Sequence, residues 1–377
     1  MTVLMVNMTI DLARGGGTAA RTRQAARALR DIGVECRIAT TTGIGGPPAR
    51  LDGVDVLGLP AIGGRFRMPV SGFRALRRAV TAADVVLLVN HWTPLNVAAY
   101  RAARQTRTPY VVSPAGALPI MGRSIALKTM YHAAYGRRIV AHAAAHVAVT
   151  PEEIRQFAPY GVPSERVTVI PNGIPEPAGG DARRFRAAHG LGDAPFLLFL
   201  GRLAPIKGPD LLVDAFIGLA DALPRWHLVL AGPDDGQQAA LQDAVHRAGM
   251  ESRVHFTGFL DAEAKGDALA AADLLVVPSR MEAMSIVVLE AASFGRPVLI
   301  SDACGVPDVE SSGGGWIVPA TREALAAGIE RAVADPSALA RAGEAWRQHA
   351  MATYAWTSVA RLYRDLFERV VRAASGR

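Results

Sequence analysis

The sequence predicts an α/β fold of doubly wound parallel sheets, on three observations. Short β-rich apolar runs alternate with helical patterns along most of the 377 residues. Several of those runs lack polar alternation, as strands buried on both faces do. The runs also fall into two series, separated by a stretch that can continue neither a helix nor a central strand.

In the first series the expected strands are Thr2–Asn7, Val34–Thr40, Asp84–Asn90, Tyr110–Ser113 and Val147–Thr150. In the second they are Phe196–Gly201, His227–Gly232, Val254–Gly258, Leu274–Pro278 and Val298–Ser301. Helical patterns lie between many of them, as in Thr18–Ile32, Asp210–Ala222 and Gln237–Ala248. The separator runs from Ile170 to Asp181 and carries three prolines and three glycines in twelve residues. It predicts one domain over 1–172 and another over 182–350. Within the remaining 351–377, Ser358–Ala374 reads as an amphipathic helix with Val359, Leu362, Leu366, Val370 and Val371 on its apolar face.

Composition narrows the function classes. Half the residues are hydrophobic, enough for sizeable cores. Two cysteines, Cys36 and Cys304, are too few for a disulfide framework or a structural zinc site, which fits a reducing compartment. No apolar run approaches the ~20 residues of a membrane-spanning helix. Residues 1–9 hold no basic region of the kind that opens a signal peptide. The net charge of +7 is unevenly placed. Residues 1–170 hold 21 Lys and Arg against 9 Asp and Glu, and residues 171–377 hold 20 against 25. Between Val56 and Pro151 Asp84 is the only acid, against twelve cations. Such a stretch either decorates a solvated face or meets an anionic partner. The basic half holds no recognisable nucleic-acid-reading motif.

Three motifs carry chemistry. Arg14-Gly15-Gly16-Gly17-Thr18 follows the first strand and opens a helix, where backbone N–H groups are offered to an anion. It is not a G-x-G-x-x-G fingerprint, since Ala20 stands where the last glycine would fall. Gly201-Arg202-Leu203-Ala204-Pro205-Ile206-Lys207-Gly208 ends another strand. Ligands of doubly wound sheets bind at such ends, and a fork donor and a point charge five residues apart suit one diphosphate. The third runs from Ala271 to Ala292: a strand to Pro278, a loop with Glu282, then a helix from about Ser285 that contains Glu290. A carboxylate in the apolar run Ile286–Ala292 needs a partner, either a ligand hydroxyl or a neighbouring protein group.

The ordered set G-R-L-x-x-x-K-G, Ala231-Gly232-Pro233, Val254-His-Phe-Thr-Gly258 and P-S-x-x-E-x7-E-A resembles the retaining glycosyltransferases of family 4. Val169-Ile-Pro-Asn-Gly-Ile174, Thr150-Pro-Glu-Glu153 and the glycine-rich turn agree with that resemblance. It covers nearly the whole chain and is densest over 196–310. It implies a GT-B fold, with two Rossmann-like domains, a donor held mainly by the second and an acceptor mainly by the first. Carried across, Arg202 and Lys207 hold and stabilise the departing diphosphate, Glu282 meets the sugar hydroxyls and Glu290 the ribose. Met284, Ser285 and Ile286 approach sugar or phosphate, and Gly16, Gly17 and Gly201 approach the diphosphate. Gly232, Pro233, Gly258 and Phe259 surround the base.

The implied reaction moves a hexose from a UDP- or GDP-sugar to a lipid-linked or saccharide acceptor, as in envelope or exopolysaccharide synthesis, by same-face attack. No D-x-D occurs in the chain, so no metal and no cofactor are expected. The terminal helix is expected to pack back on the first domain. Many relatives carry a histidine where this chain has Ala115, and His91 is the topologically nearby candidate for that place. A nucleotide-sugar epimerase of the same fold, or a non-catalytic nucleotide-sugar-binding scaffold, are the alternative readings. The surplus basic charge of 56–151 is expected to meet an anionic inner-membrane surface or a lipid phosphate, giving a cytoplasmic protein, peripheral on the membrane.

Overall fold

A computed structural model describes residues 1–42, 50–64, 66–121, 124–174 and 176–376, without the side chains of Ala13 and Arg14. Arg65 and Arg123 of the basic stretch and Pro175 of the separator lie outside those residues. The chain divides into two compact units, Met1–Gly173 with Trp356–Arg377, and Ile174–Ala355.

In the first unit the sheet runs in the order Arg50–Leu51, Val54–Ile62, Glu35–Thr42, Thr2–Val6, Val85–Val89, Tyr110–Ser113, Ala145–Ala148, Val167–Val169. Its central pairings are parallel, and among the described residues antiparallel pairs occur only where Arg50–Leu51 and Met68–Pro69 join Val54–Ile62. The central strand Val85–Val89 is buried at every residue, which is why it reads as an unbroken apolar run. The sequence did not flag Val54–Ile62, whose Gly58 and Pro60 weaken a strand pattern. It pairs along six residues with Glu35–Thr42, so tertiary pairing overrides propensity there.

Two cores cover the two faces of this sheet. One gathers Leu4, Val86 and Leu88 with Leu76, Leu95 and Ile139. The other gathers Val3, Met5 and Leu87 with the terminal helix Trp356–Ser375 through Val359, Tyr363, Phe367 and Val370. Leu362, assigned above to the apolar face, is instead 45% exposed. Trp356 presses its ring on Gly173 and donates its indole N–H to Gln24 Oε1 at 3.2 Å. Tyr363 accepts a bond from the buried Arg21 guanidinium at 2.6 Å.

The second unit holds a parallel sheet in the order Val254–Gly258, His227–Ala231, Phe196–Leu200, Leu274–Val277, Val298–Ser301, Gly315–Val318. The strand order reverses at Phe196–Leu200, the place where doubly wound sheets hold ligands beyond their carboxyl ends. Phe216, Leu228, Leu274, Leu299 and Ile329 are among its core. Among the described residues no helix is long and apolar enough to cross a membrane.

Candidate functional site

Three neighbouring strand ends of the second unit build the candidate site. Phe196–Leu200 runs out into Gly201, whose N–H donates to Ala231 O at 2.9 Å, and Gly232 in turn donates to Gly258 O at 2.8 Å. The three glycines thus lie side by side on adjacent strands. Gly232 has φ +147°, and a Cβ there would stand 1.9 Å from Gly201 O. Only glycine lets the two strand ends approach so closely. Pro233 accepts from Leu203 N at 2.9 Å, so the loop after Gly201 is tied to the neighbouring turn. Phe259, just past Gly258, is 61% exposed, a free aromatic face at the strand end.

The same loop carries the two cations. Arg202 pairs with Asp235, a carboxylate that spacing did not single out. Its neighbour Asp234 accepts N–H bonds from Gly236, Gln237 and Gln238 at 2.9–3.0 Å. Those bonds hold its carboxyl below the usual range and fix the turn. Lys207, in the turn Pro205–Lys207, pairs with Glu282. Glu282 also accepts from Ser279 Oγ at 3.0 Å. The loop from 278 to 285 is locked to the loop from 201 to 208 by Arg280, which donates its N–H to Ile206 O and its guanidinium to Asp210 at 2.5 and 2.8 Å. Burial raises the Asp210 carboxyl, and the Arg280 bonds outweigh it, leaving the group below its ordinary value.

Glu290 is 8% exposed inside Ile286–Ser293. Its partner is Lys265 of the helix Ala262–Ala271, 2.5 Å from one carboxylate oxygen. The sequence left a protein partner open. Lys265, 25 residues away, carried no local signal. Met284 and Ser285 are buried, and Ser285 donates its N–H to Cys304 O at 3.0 Å. The Ser285 side chain makes no capping bond, so the first N–H groups of Ile286–Ser293 keep their donor capacity for an anion.

The residues singled out in the first unit lie at the ends of its own strands. Gly16, at φ +51° and ψ −137°, breaks Leu12–Asp31 into two helical pieces, so the helix restarts at Gly17 rather than opening once. A Cβ at Gly16 would meet nothing within 4 Å, so the space beside this backbone is open. Asn7, at the end of Thr2–Val6, anchors the second piece by donating to Thr22 Oγ1 at 2.8 Å.

Ala115 has φ +52°, in the turn after Tyr110–Ser113. The turn is held by Glu153, whose two carboxylate oxygens accept Gly116 N–H at 2.5 Å and Val149 N–H at 2.6 Å. Glu153 is 1% exposed, and burial pushes its carboxyl up against the pull of those two bonds. His91 is 2% exposed and packs edge-on against Trp92, Tyr131 and Tyr160. Burial, and then His132, push its pKa down to about 3, so the ring is neutral. It is closed in by protein rather than presented at the surface.

The comparisons with known proteins follow the same division. Residues 16–173 match the family described as glycosyl transferase 4-like domain, and residues 181–349 match glycosyl transferases group 1. The chain belongs to the group 1 glycosyltransferases. A D-inositol 3-phosphate glycosyltransferase of Streptomyces coelicolor is 32% identical over 242 residues, 60% of this chain and 52% of that one. A GDP-mannose-dependent alpha-(1-6)-phosphatidylinositol monomannoside mannosyltransferase of Mycolicibacterium smegmatis is 32% identical over 217 residues, 53% of this chain and 56% of its own. The chain thus spans about half the length of the curated relatives it matches. The crystal structure of Anabaena HepE in complex with UDP and glucose superposes with a TM-score of 0.79 at 20% identity, covering 98% of this chain and 100% of that one. At that identity the likeness concerns the fold, and the fold of this group 1 member is GT-B.

Proposed function

We propose that the protein is a retaining hexosyltransferase that takes its sugar from a UDP- or GDP-sugar and passes it to a lipid-linked or saccharide acceptor. The observation that carries this reading is the set of cation–carboxylate pairs at the carboxyl edge of the second sheet. Lys207 and Glu282 face each other there, and Arg202 lies on the same loop. In the proposed complex Arg202 and Lys207 exchange their carboxylates for the donor diphosphate and stabilise the charge that grows as the glycosyl–phosphate bond breaks. The N-terminus of Ile286–Ser293 adds backbone donors to the same anion.

Glu282, released from Lys207, accepts from sugar hydroxyls. Glu290 keeps Lys265 on one oxygen and offers the other to the ribose. The base lies by Gly232, Pro233, Gly258 and Phe259. Gly16 and Gly17 present backbone N–H groups, and Ala115 with its Glu153-held turn shapes the acceptor side. His91 positions the surrounding aromatic side chains, because a buried neutral ring does not reach substrate. Attack on the face the diphosphate leaves retains the anomeric configuration and asks for no protein nucleophile. The basic stretch 56–151 supports a peripheral place on an anionic membrane face, tested by cosedimentation with anionic against neutral vesicles.

The donor reading is tested by thermal shift with UDP and GDP. Protection is expected for the native chain and lost in Lys207→Ala and Glu290→Ala. Protection unchanged by both substitutions overturns the site. Mass detection of transfer products across a panel of nucleotide-sugars then identifies the sugar.

A further inference from the structure

The first unit contains a groove of about 850 Å³ that the donor chemistry does not use. Its walls are three helices. Pro94–Thr106 turns one face to it, through Pro94, Val97, Ala98, Arg101, Ala102 and Gln105, at the 3–4 residue spacing of a single helical stripe. Thr93 caps that helix by accepting Asn96 N–H at 3.1 Å, and Asn96 donates to Val89 O, which fixes the stripe against the sheet. From Pro94 to Gln105 the face runs roughly 16 Å, at 1.5 Å per residue. Phe73–Thr81 and the segment Ile125–Gly136 form the other sides.

Apolar and cationic side chains share the groove along its length. All three helices start at the carboxyl edge of the sheet, and there Met68, Phe73, Trp92, Leu127 and Met130 line the groove with Arg74 and Lys128, whose ammonium lies 5.8 Å from the Trp92 ring centre. Towards the other end it carries Arg77, Gln105 and Arg101, which donates to the Tyr135 hydroxyl and lies over that ring. Among the described residues four cations, Arg74, Arg77, Arg101 and Lys128, line the groove, and no carboxylate does. Asp84, the single acid of 56–151, is engaged by Thr2 N–H at 2.7 Å. Arg77 and Gln105 also line a polar notch of about 400 Å³ with Arg78, Thr81 and Thr106. The apolar end continues onto open surface. Met130 is 64% exposed and Phe73 48%, and Ile62, Val70, Ile120, Met121 and Ile125 are exposed beside them. The helix Ile125–Tyr131 buries none of its residues. An apolar field of this size on a charged protein marks an interaction surface.

We propose that this face docks on an anionic bilayer and draws one lipid into the groove, its hydrocarbon chain lying towards Trp92 and its phosphate met by Arg77 and Arg101. Charge complementarity selects an anionic headgroup. The exposed apolar residues beyond the groove mouth select a bilayer over a free amphiphile, since a single chain would not cover them. The site deepens the peripheral reading above and rests on it, but is independent of the donor site in the other unit.

The test uses the full chain with phosphatidylglycerol–phosphatidylcholine vesicles, with and without bromine on the acyl chains. Bromine quenches an indole that it touches. The Trp92 contribution is taken as the difference between the native chain and Trp92→Phe. Brominated chains are expected to lower it at least about twofold, and Ala98→Phe, which plugs the groove, should abolish that quenching. Because Ala98 is partly buried and the plug could disturb folding, Leu127→Asp with Met130→Asp charges the exposed mouth instead and should have the same effect. Arg77→Gln with Arg101→Gln should weaken binding to anionic vesicles roughly 30-fold, at about 1 kcal/mol per cation near the surface. Vesicle binding without Trp92 quenching overturns the groove and leaves surface docking standing. Equal binding to neutral vesicles overturns the phosphate assignment. No binding to anionic vesicles at low salt overturns the site and the peripheral reading together.

Discussion

The two units treat their cations in opposite ways. At the strand ends of the second, Arg202, Lys207 and Lys265 each face a carboxylate, Asp235, Glu282 and Glu290. On the helices of the first, Arg74, Arg77 and Arg101 line an apolar groove with no carboxylate among its residues. A cation held by a protein carboxylate is preorganised and can exchange that partner for a ligand's phosphate or hydroxyl without meeting bare desolvation. A cation on an open helix face is solvated, and attracts any anionic surface at a range set by salt. The paired arrangement of the second unit suits recognition of one small molecule, and the open arrangement of the first suits adhesion to something large.

The largest expected effect tests the paired half. Lys207→Ala or Glu290→Ala should weaken UDP binding about 100-fold in calorimetry, from the loss of charged hydrogen bonds and the stranded partner left behind. If UDP affinity survives both, the pairs are structural only and the contrast between the units fails. Gly232→Ala follows. A Cβ 1.9 Å from Gly201 O forces the two strand ends apart, at a cost of about 2.5 kcal/mol in denaturant unfolding.

Glu153→Gln asks whether the first unit also keeps a precise strand end. One carboxylate oxygen becomes an amide N–H2, so Gly116 N–H or Val149 N–H loses its acceptor. Stability should fall by about 2 kcal/mol. An unchanged melting temperature would show that this turn does not depend on Glu153.

A pH slope is the remaining test. His91 titrates near 6.5 unfolded and about 3 folded, so the unfolded chain binds the extra proton between those values. The contribution of neutral His91 to stability is full above pH 6.5 and is lost progressively as pH falls towards 3. His91→Phe should flatten the loss of stability between pH 7 and 4, measured by urea unfolding. A parallel slope in both chains would mean that His146, whose pKa burial also lowers, dominates the acid response.

Legibility varied with the range of the interaction. Tyr110–Ser113 and Val298–Ser301 match their expected bounds, because a strand buried on both faces is apolar at consecutive positions. Val254–Gly258 also matches, although it is a partly buried edge strand. Gly315–Val318 and Val167–Val169 were missed. Each lies at a sheet edge, where a short strand is defined by its neighbour more than by its own residues. The loop cations and the two glutamates stood out by spacing. Their partners did not: Asp235 and Lys265 are 33 and 25 residues from the groups they hold. Glu153 was visible as part of a motif, while its grip on the Ala115 turn, 37 residues away, was not.

By itself the sequence determined the fold class and the succession of the central strands with the helices between them. Both follow from local hydrophobic period and turn chemistry, which neighbouring residues settle among themselves. It also determined the charge asymmetry, a matter of counting. Only the tertiary structure decided that Glu290 is answered by a lysine and that His91 is sealed among aromatic rings. Only it decided that three separate helices leave one groove of apolar and cationic side chains open along their shared face. Such features depend on which distant side chains a fold brings within a few ångströms, and period and propensity do not encode that.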